Sequence, residues 1–162
     1  MPRQKGIDKL KLDYQILIDS REQHPWRFSR SIEKALPAGD YSIAYQIPER
    51  LLTYENIIAV ERKSDVGELY SATGSERERF ENELQKLSRL QYSFVICEFT
   101  LIDILNDAPP GKLEPQAVFG SIHSWIIRYG VQFIFAGNRQ NARGSALKLF
   151  EFYFKYKILG VK

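Results

Sequence analysis

Apolar and polar positions along this chain alternate in two rhythms. Short apolar runs at residues 15–19, 41–45, 57–60, 92–99 and 131–136, rich in β-branched and aromatic residues, read as strands. Other stretches have helical spacing. Phe80, Leu84 and Leu87 form one stripe of a helix expected over 76–90, with Ser75 as N-cap and Glu78 at the capping-box position. Val118, Ile122, Trp125 and Tyr129 share a face of a second helix over 115–129, with Pro115 in its first turn and Gly130 at its end. A last helix is led in by residues 139–143 and runs to about 156. It carries two apolar stripes: Leu147, Phe150 and Phe154 on one, and Leu149, Phe152, Tyr153 and Tyr156 on the other. Shorter helices are expected at 29–36, closed by Pro37, at 65–73, interrupted by Gly67, and at 101–105. Residues 48–56 form a turn-rich connection between two strands, a long hairpin, and 106–112 are a loop. The order of elements gives the α/β class, a central mixed β-sheet flanked by helices on both sides.

Composition narrows the picture. With 162 residues and 44% hydrophobic positions, the chain has the size and apolar content of one folded domain, read as 14–162. A basic lead-in at 1–13 (Arg3, Lys5, Lys9, Lys11) precedes it. Cys97, the one cysteine, excludes an intrachain disulfide framework and reads as a buried apolar residue. No apolar run approaches the roughly 18 residues of a membrane span. The expectation is an intracellular protein, in the cytoplasm or nucleoid if prokaryotic or viral, with no membrane partner. Net charge is +3. Beyond Gly137 the basic residues Arg139, Arg143, Lys148, Lys155, Lys157 and Lys162 face a single acid, Glu151. No P-loop, dinucleotide fingerprint, zinc motif or internal repeat is present, and His24, before a proline in a loop, reads as a surface residue.

The chemistry concentrates between Gly39 and Lys63. The buried-strand pattern at 57–60 ends in Glu61, Arg62 and Lys63, which a core strand has no reason to do unless its end is exposed or reactive. Alternation puts Glu61 and Lys63 on one face and Arg62 on the other. With Asp40 brought in from the neighbouring strand, two hard-oxygen ligands and an ammonium form a compact group. Phosphodiester hydrolysis suits it: carboxylates hold Mg2+, and a lysine orients or deprotonates water or neutralises phosphoryl charge. The first strand, ending in Asp19, Ser20, Arg21 and Glu22, has the same form.

Gly39-Asp40 followed by Glu61-Arg62-Lys63 resembles the signature of the XPF-type structure-selective DNA endonucleases (the XPF/Hef/MUS family), a branch of the PD-(D/E)xK nucleases. Asp19, Arg21 and Glu22 match that family's Asp-x-Arg-Glu segment. The motif continues with an aspartate four residues after the lysine; Gly67 stands there, with Asp65 and Glu68 as the nearest acids. The resemblance covers about 15–154 and implies a restriction-endonuclease-like nuclease fold. It implies a Mg2+-dependent DNA endonuclease, with Mn2+ as a substitute metal, that cuts flaps, forks or junctions. Asp19, Asp40 and Glu61 would bind metal, Lys63 would position or activate the attacking water, Glu22 would assist, and Arg62 belongs to the essential set. An arginine after a glycine-containing loop stands near the family's active site. Arg77 fits that place, or is a solvated i,i+4 partner of Glu81. Family members pair through the C-terminal region, in agreement with a homodimer formed by the second aromatic face of the last helix. The tandem helix-hairpin-helix domain usual in such enzymes is not seen here. DNA grip would then fall to the dimer, to Arg139, Arg143 and Lys148, or to a partner protein. The alternative is a catalytically inactive DNA-binding or scaffold subunit, against which the retained acids argue.

Overall fold

Residues 13–162 are described in the computed structural model, so the basic lead-in lies, but for Asp13, outside the described residues. Seven strands form one mixed sheet: β1 (Tyr14–Asp19), β2 (Ser31–Lys34), β3 (Tyr41–Gln46), β4 (Leu51–Thr53), β5 (Ile58–Lys63), β6 (Tyr92–Cys97) and β7 (Gln132–Phe135). The order is β2-β1-β3-β5-β6-β7, with β4 paired to β3. Strands β1 and β2, β5 and β6, and β6 and β7 are parallel; β3 runs antiparallel to both β1 and β5. The carboxyl ends of β1, β5 and β6 therefore lie at one edge, beside the start of β3.

Alternation along the strands divides the core. Ile16, Ile18, Tyr41, Ile43, Ile58, Val60, Phe94 and Ile96 face α5 (Arg139–Tyr153), packing on Ala142, Ala146 and Phe150. Ala59, Val95 and Cys97 face the other way, against α1 (Val66–Thr73), α2 (Arg77–Leu87) and α4 (Pro115–Tyr129), where Leu69, Phe80, Leu84, Ile122 and Trp125 meet them. A short α3 (Leu101–Asn106), held by a Thr100–Asp103 capping box, completes this layer. Burial raises the pKa of the Cys97 thiol, consistent with a packing role. No helix among the described residues is long and apolar enough to cross a membrane.

Several local expectations need correction. Residues 29–36 are not helical: 31–34 form β2, the edge strand that satisfies the open side of β1, with Ile32 as its anchor. The hairpin partner of β3 is β4, closed by reciprocal Ile47 and Arg50 backbone bonds, and β5 then pairs β3 on the same edge. Gly67 does not interrupt α1, because it sits in the first turn after the N-cap Asp65. Helix α2 is shorter than 76–90, and Ser75 does not cap it: Glu76 is the N-cap and makes no side-chain cap bond. Its amide instead donates to Ser71 O at 2.8 Å, closing the turn from α1. Helix α5 begins at Arg139 itself, capped by Asn138, and passes into a π-helical turn at Phe154–Ile158. Its two stripes merge: Phe150, Tyr153 and Phe154 are buried, and only Phe152 and Tyr156 stand exposed, stacked on each other.

Candidate active site

The strand ends position the candidate residues by simple alternation. Leu17 faces away from α5, so Asp19 does too; the same holds for Asp40 against Tyr41, and for Glu61 and Lys63 against Val60. A cleft of about 960 Å³ opens over this edge, lined by Asp19, Asp40, Glu61 and Lys63, with Glu22, Glu68, Arg79 and Glu83 around it. Glu61, Arg62 and Lys63 are only 9, 8 and 7% exposed, so the charged end of β5 is buried and its charges need partners.

Each has one. The Lys63 ammonium donates to Glu61 Oε1 at 2.8 Å, lies 3.6 Å from Glu68 Oε1 and rests over the Phe80 ring. Burial works against its charge, but Glu61 and Glu68 outweigh it, and its pKa is raised. Lys63 is therefore a cation at neutral pH. Burial raises the pKa of Glu61, against the pull of Lys63. Asp40 is raised well above the carboxylate range by desolvation first and by the facing Glu61 next, although its Oδ2 accepts the Arg62 amide at 2.7 Å. Asp19 is forked by Arg21, with Nε on Oδ1 at 3.0 Å and Nη2 on Oδ2 at 2.5 Å.

Arg62 points the other way, as alternation requires. Its Nε donates to Glu98 Oε1 at 2.7 Å and its Nη1 to the His24 carbonyl at 2.9 Å, with Glu22 at 3.3 Å. Trp26 Nε1 donates to the same Glu98 oxygen at 2.7 Å. Arg62 thus ties the loop after β1 to the ends of β5 and β6. His24 is exposed, as expected, and contributes its backbone carbonyl.

The turn into β3 depends on Gly39, whose φ is +72° and whose missing Cβ would lie 2.9 Å from Val60 O. Left-handed backbone and a clash with the sheet both oppose any side chain there. Gly39→Ala is expected to destabilise the fold by about 2 kcal/mol, read as a shift of the urea midpoint.

Asp65 and Glu68 separate by role: Asp65 Oδ1 caps α1, while Glu68 lines the cleft and bonds the Ser64 amide at 2.8 Å. Arg77 is turned to α4, bonded to Glu81 at 3.0 Å and Ser121 at 3.2 Å, and the arginine of α2 that lines the cleft is Arg79. Arg139 bonds the carbonyls of His24 and Pro25, and Arg143 bonds that of Arg27 over the Phe28 ring. Lys148 pairs with Glu151 on the surface of α5. Glu98 and Glu83 escaped sequence reasoning. Glu98 had a signal, since it ends an apolar run in charge as Asp19 and Glu61 do. Glu83, on the polar face of α2, had none.

Among the described residues, no three His, Cys, Asp or Glu side chains stand close enough to hold a metal ion. Asp40 and Glu61 nonetheless suit a hard cation in kind, being two facing, desolvated oxygen donors. Asp19 is occupied by Arg21.

A comparison with curated protein sequences finds no match. Among solved structures, XPF from Aeropyrum pernix is similar over 85% of this chain, at TM-score 0.58 and 18% identity. XPF from the same organism in complex with DNA is similar over 90%, at TM-score 0.58 and 18% identity. This chain spans 58% and 66% of those two chains. At such identity the likeness shows the fold: a mixed sheet flanked by helices, of the restriction-endonuclease-like kind. The family profile described as the ERCC4 domain matches residues 18–143, from the end of β1 into α5, a span that holds Asp19, Asp40, Glu61 and Lys63. The chain belongs to the ERCC4 domain family.

Proposed function

We propose that this chain is a metal-dependent DNA endonuclease that hydrolyses phosphodiester bonds in branched or structured DNA such as flaps, forks and junctions. The observation that carries this reading is the gathering of Asp40, Glu61 and Lys63 on one face of the sheet edge, within an ERCC4 domain. A fold relative bound to DNA supports the choice of polymer. Asp40 and Glu61, joined by Asp19 once Arg21 releases it, would hold Mg2+ or Mn2+, which when bound polarises phosphate and activates water.

The protein's own groups divide the remaining work. Lys63, kept protonated by Glu61 and Glu68, orients a water through its N–H groups and offsets negative charge on the phosphoryl oxygens. Its raised pKa argues for that role over proton abstraction. Arg62 is a positioning residue: it holds Glu22, Glu98 and the 24–26 loop in place while its own amide fixes Asp40. The exposed Arg21 and Arg79 at the cleft mouth suit phosphate contacts, which are salt-dependent and indifferent to sequence. Arg139, Arg143 and Lys148 form a second basic region on α5. We extend the proposal to a homodimer through the exposed Phe152 and Tyr156.

One rival is an inactive DNA-binding or scaffold subunit, favoured in that no three donors cluster among the described residues. Labelled duplex, flap, fork and four-way junction DNA with Mg2+ or Mn2+ separates the two. Wild type should cut a branched substrate, and Lys63→Ala should be slower by about 10²-fold or more. Binding without cutting by wild type, or equal cutting by the variant, removes the enzyme reading.

A further inference from the structure

We propose that Glu83 is a positioning residue of this site: through the Gly39 amide it fixes the turn that presents Asp40 to a divalent cation, a role that rests on the nuclease reading above. The turn's own hydrogen bonds lead to this assignment. The Asp40 amide donates to Val60 O at 2.8 Å, and Asp40 O accepts the Asp19 amide at 2.8 Å, so the sheet holds Asp40 from both sides. The preceding amide, that of Gly39, is not used by the sheet. It donates to Glu83 Oε1 at 2.7 Å.

That bond spans 44 residues and comes from a different layer. Helix α2 is anchored independently by Phe80, Leu84 and Leu87, all buried beneath the sheet, so the carboxylate is carried on a rigid support. The other oxygen, Oε2, is 3.3 Å from Lys86 Nζ, which steadies the side chain at the cleft wall. A carboxylate accepting a backbone N–H makes a charge-assisted bond, stronger than a neutral one. Gly39 has a left-handed backbone against Val60, and glycine has the widest choice of alternative conformations once a constraint is removed. Without Glu83, the residue just before Asp40 loses the one side-chain contact that holds its amide. The ligand then loses part of its fixed aim, and a shift of about 1 Å in a reacting group is enough to impair catalysis strongly.

Two substitutions separate a hydrogen-bond role from a direct role of the charge. Glu83→Ala removes the acceptor, and Glu83→Gln keeps an acceptor oxygen while losing the charge. Three readouts apply to each: Gly39 amide exchange by NMR, Mg2+ and Mn2+ affinity by calorimetry, and cleavage of branched DNA. For Glu83→Ala, faster Gly39 exchange is expected together with roughly 10-fold weaker cation binding and at least 10-fold slower cleavage. For Glu83→Gln, all three should return to within about threefold of wild type.

Wild-type exchange and affinity in Glu83→Ala would overturn the proposal. So would a Glu83→Gln protein that protects Gly39 yet loses the cation, because Glu83 would then act through its charge as a ligand. If Glu83→Ala fails to fold, the glutamine variant decides alone: retained protection and affinity support the proposal, and their loss overturns it. Should wild type cut no DNA while exchange and affinity still follow the alanine–glutamine pattern, the nuclease reading falls and the positioning role stands. A wild type that binds no divalent cation overturns both.

Discussion

Asp40→Asn is expected to slow DNA cleavage severely and, in the same protein, to raise thermal stability in the absence of metal. The carboxylate is desolvated and faces Glu61, and both effects lift its pKa well above the ordinary range. A carboxylic acid raised in the folded state supports the fold fully below its unfolded pKa of about 4, and that support is lost as pH rises through the folded value. At neutral pH the charged form therefore opposes folding. Asparagine keeps an oxygen for the Arg62 amide and removes the charge. A gain of about 1 kcal/mol, or roughly 2–4 °C, is expected at pH 7.5, shrinking toward zero near pH 4. Cleavage should fall about 10³-fold, equivalent to roughly 4 kcal/mol of transition-state stabilisation. Melting curves in chelator at three pH values, beside a cleavage assay, test both halves. A variant that melts below wild type at pH 7.5, or that cuts normally, contradicts this account of Asp40.

Arg62→Ala should produce the largest loss of stability. The guanidinium is buried and joins Glu98, Glu22 and the His24 carbonyl; burial disfavours its charge, and Glu98 more than compensates. Removing one partner of a buried ion pair leaves the other charge uncompensated, at about 3–5 kcal/mol. For a chain of this size that is a drop of roughly 10 °C. Trp26 and Arg139 still donate to Glu98, which keeps the loss from being larger. The double substitution Arg62→Met with Glu98→Met should recover part of it, since replacing both charges removes the orphan. Thermal melts and urea titrations of the two variants beside wild type measure this. An Arg62→Ala protein within 1 °C of wild type, a tolerance on the order of 0.3 kcal/mol, would mean that Arg62 is not the clamp described.

The parts of this fold that were legible in the sequence follow from alternation. Glu61 and Lys63 end an apolar strand, and a period of two puts them on one side of it, whereas Asp19 joined them only through the family resemblance, because alternation within a strand does not say which strand ends meet. The strand β2 was not, because a four-residue edge strand with one inward residue, Ile32, has no pattern to show. Arg77 and Arg79 illustrate a limit of another kind. Two residues on a helix point to nearly opposite sides, so which of them meets the cleft depends on how α2 sits on the sheet, and that is set by Phe80, Leu84 and Leu87 together. Asp65 and Glu68 were both plausible acids; the capping requirement of α1 takes Asp65 and leaves Glu68 for Lys63. The Glu98–Arg62 and Glu83–Gly39 contacts span 36 and 44 residues, and no local spacing encodes them.

The short-range pairing of acids with bases has a consequence for the charge at this sheet edge. Asp19 carries Arg21 two residues along, and Glu61 carries Lys63 two residues along. Each of these acids thus has a base of its own segment two residues away, the first just past β1 and the second within β5. Neither pair depends on a contact between strands, so part of the repulsion among the acids gathered at this edge is offset from within each segment. Asp40 has no base within two residues; its partner is the Arg62 amide, which it meets only where β3 lies beside β5.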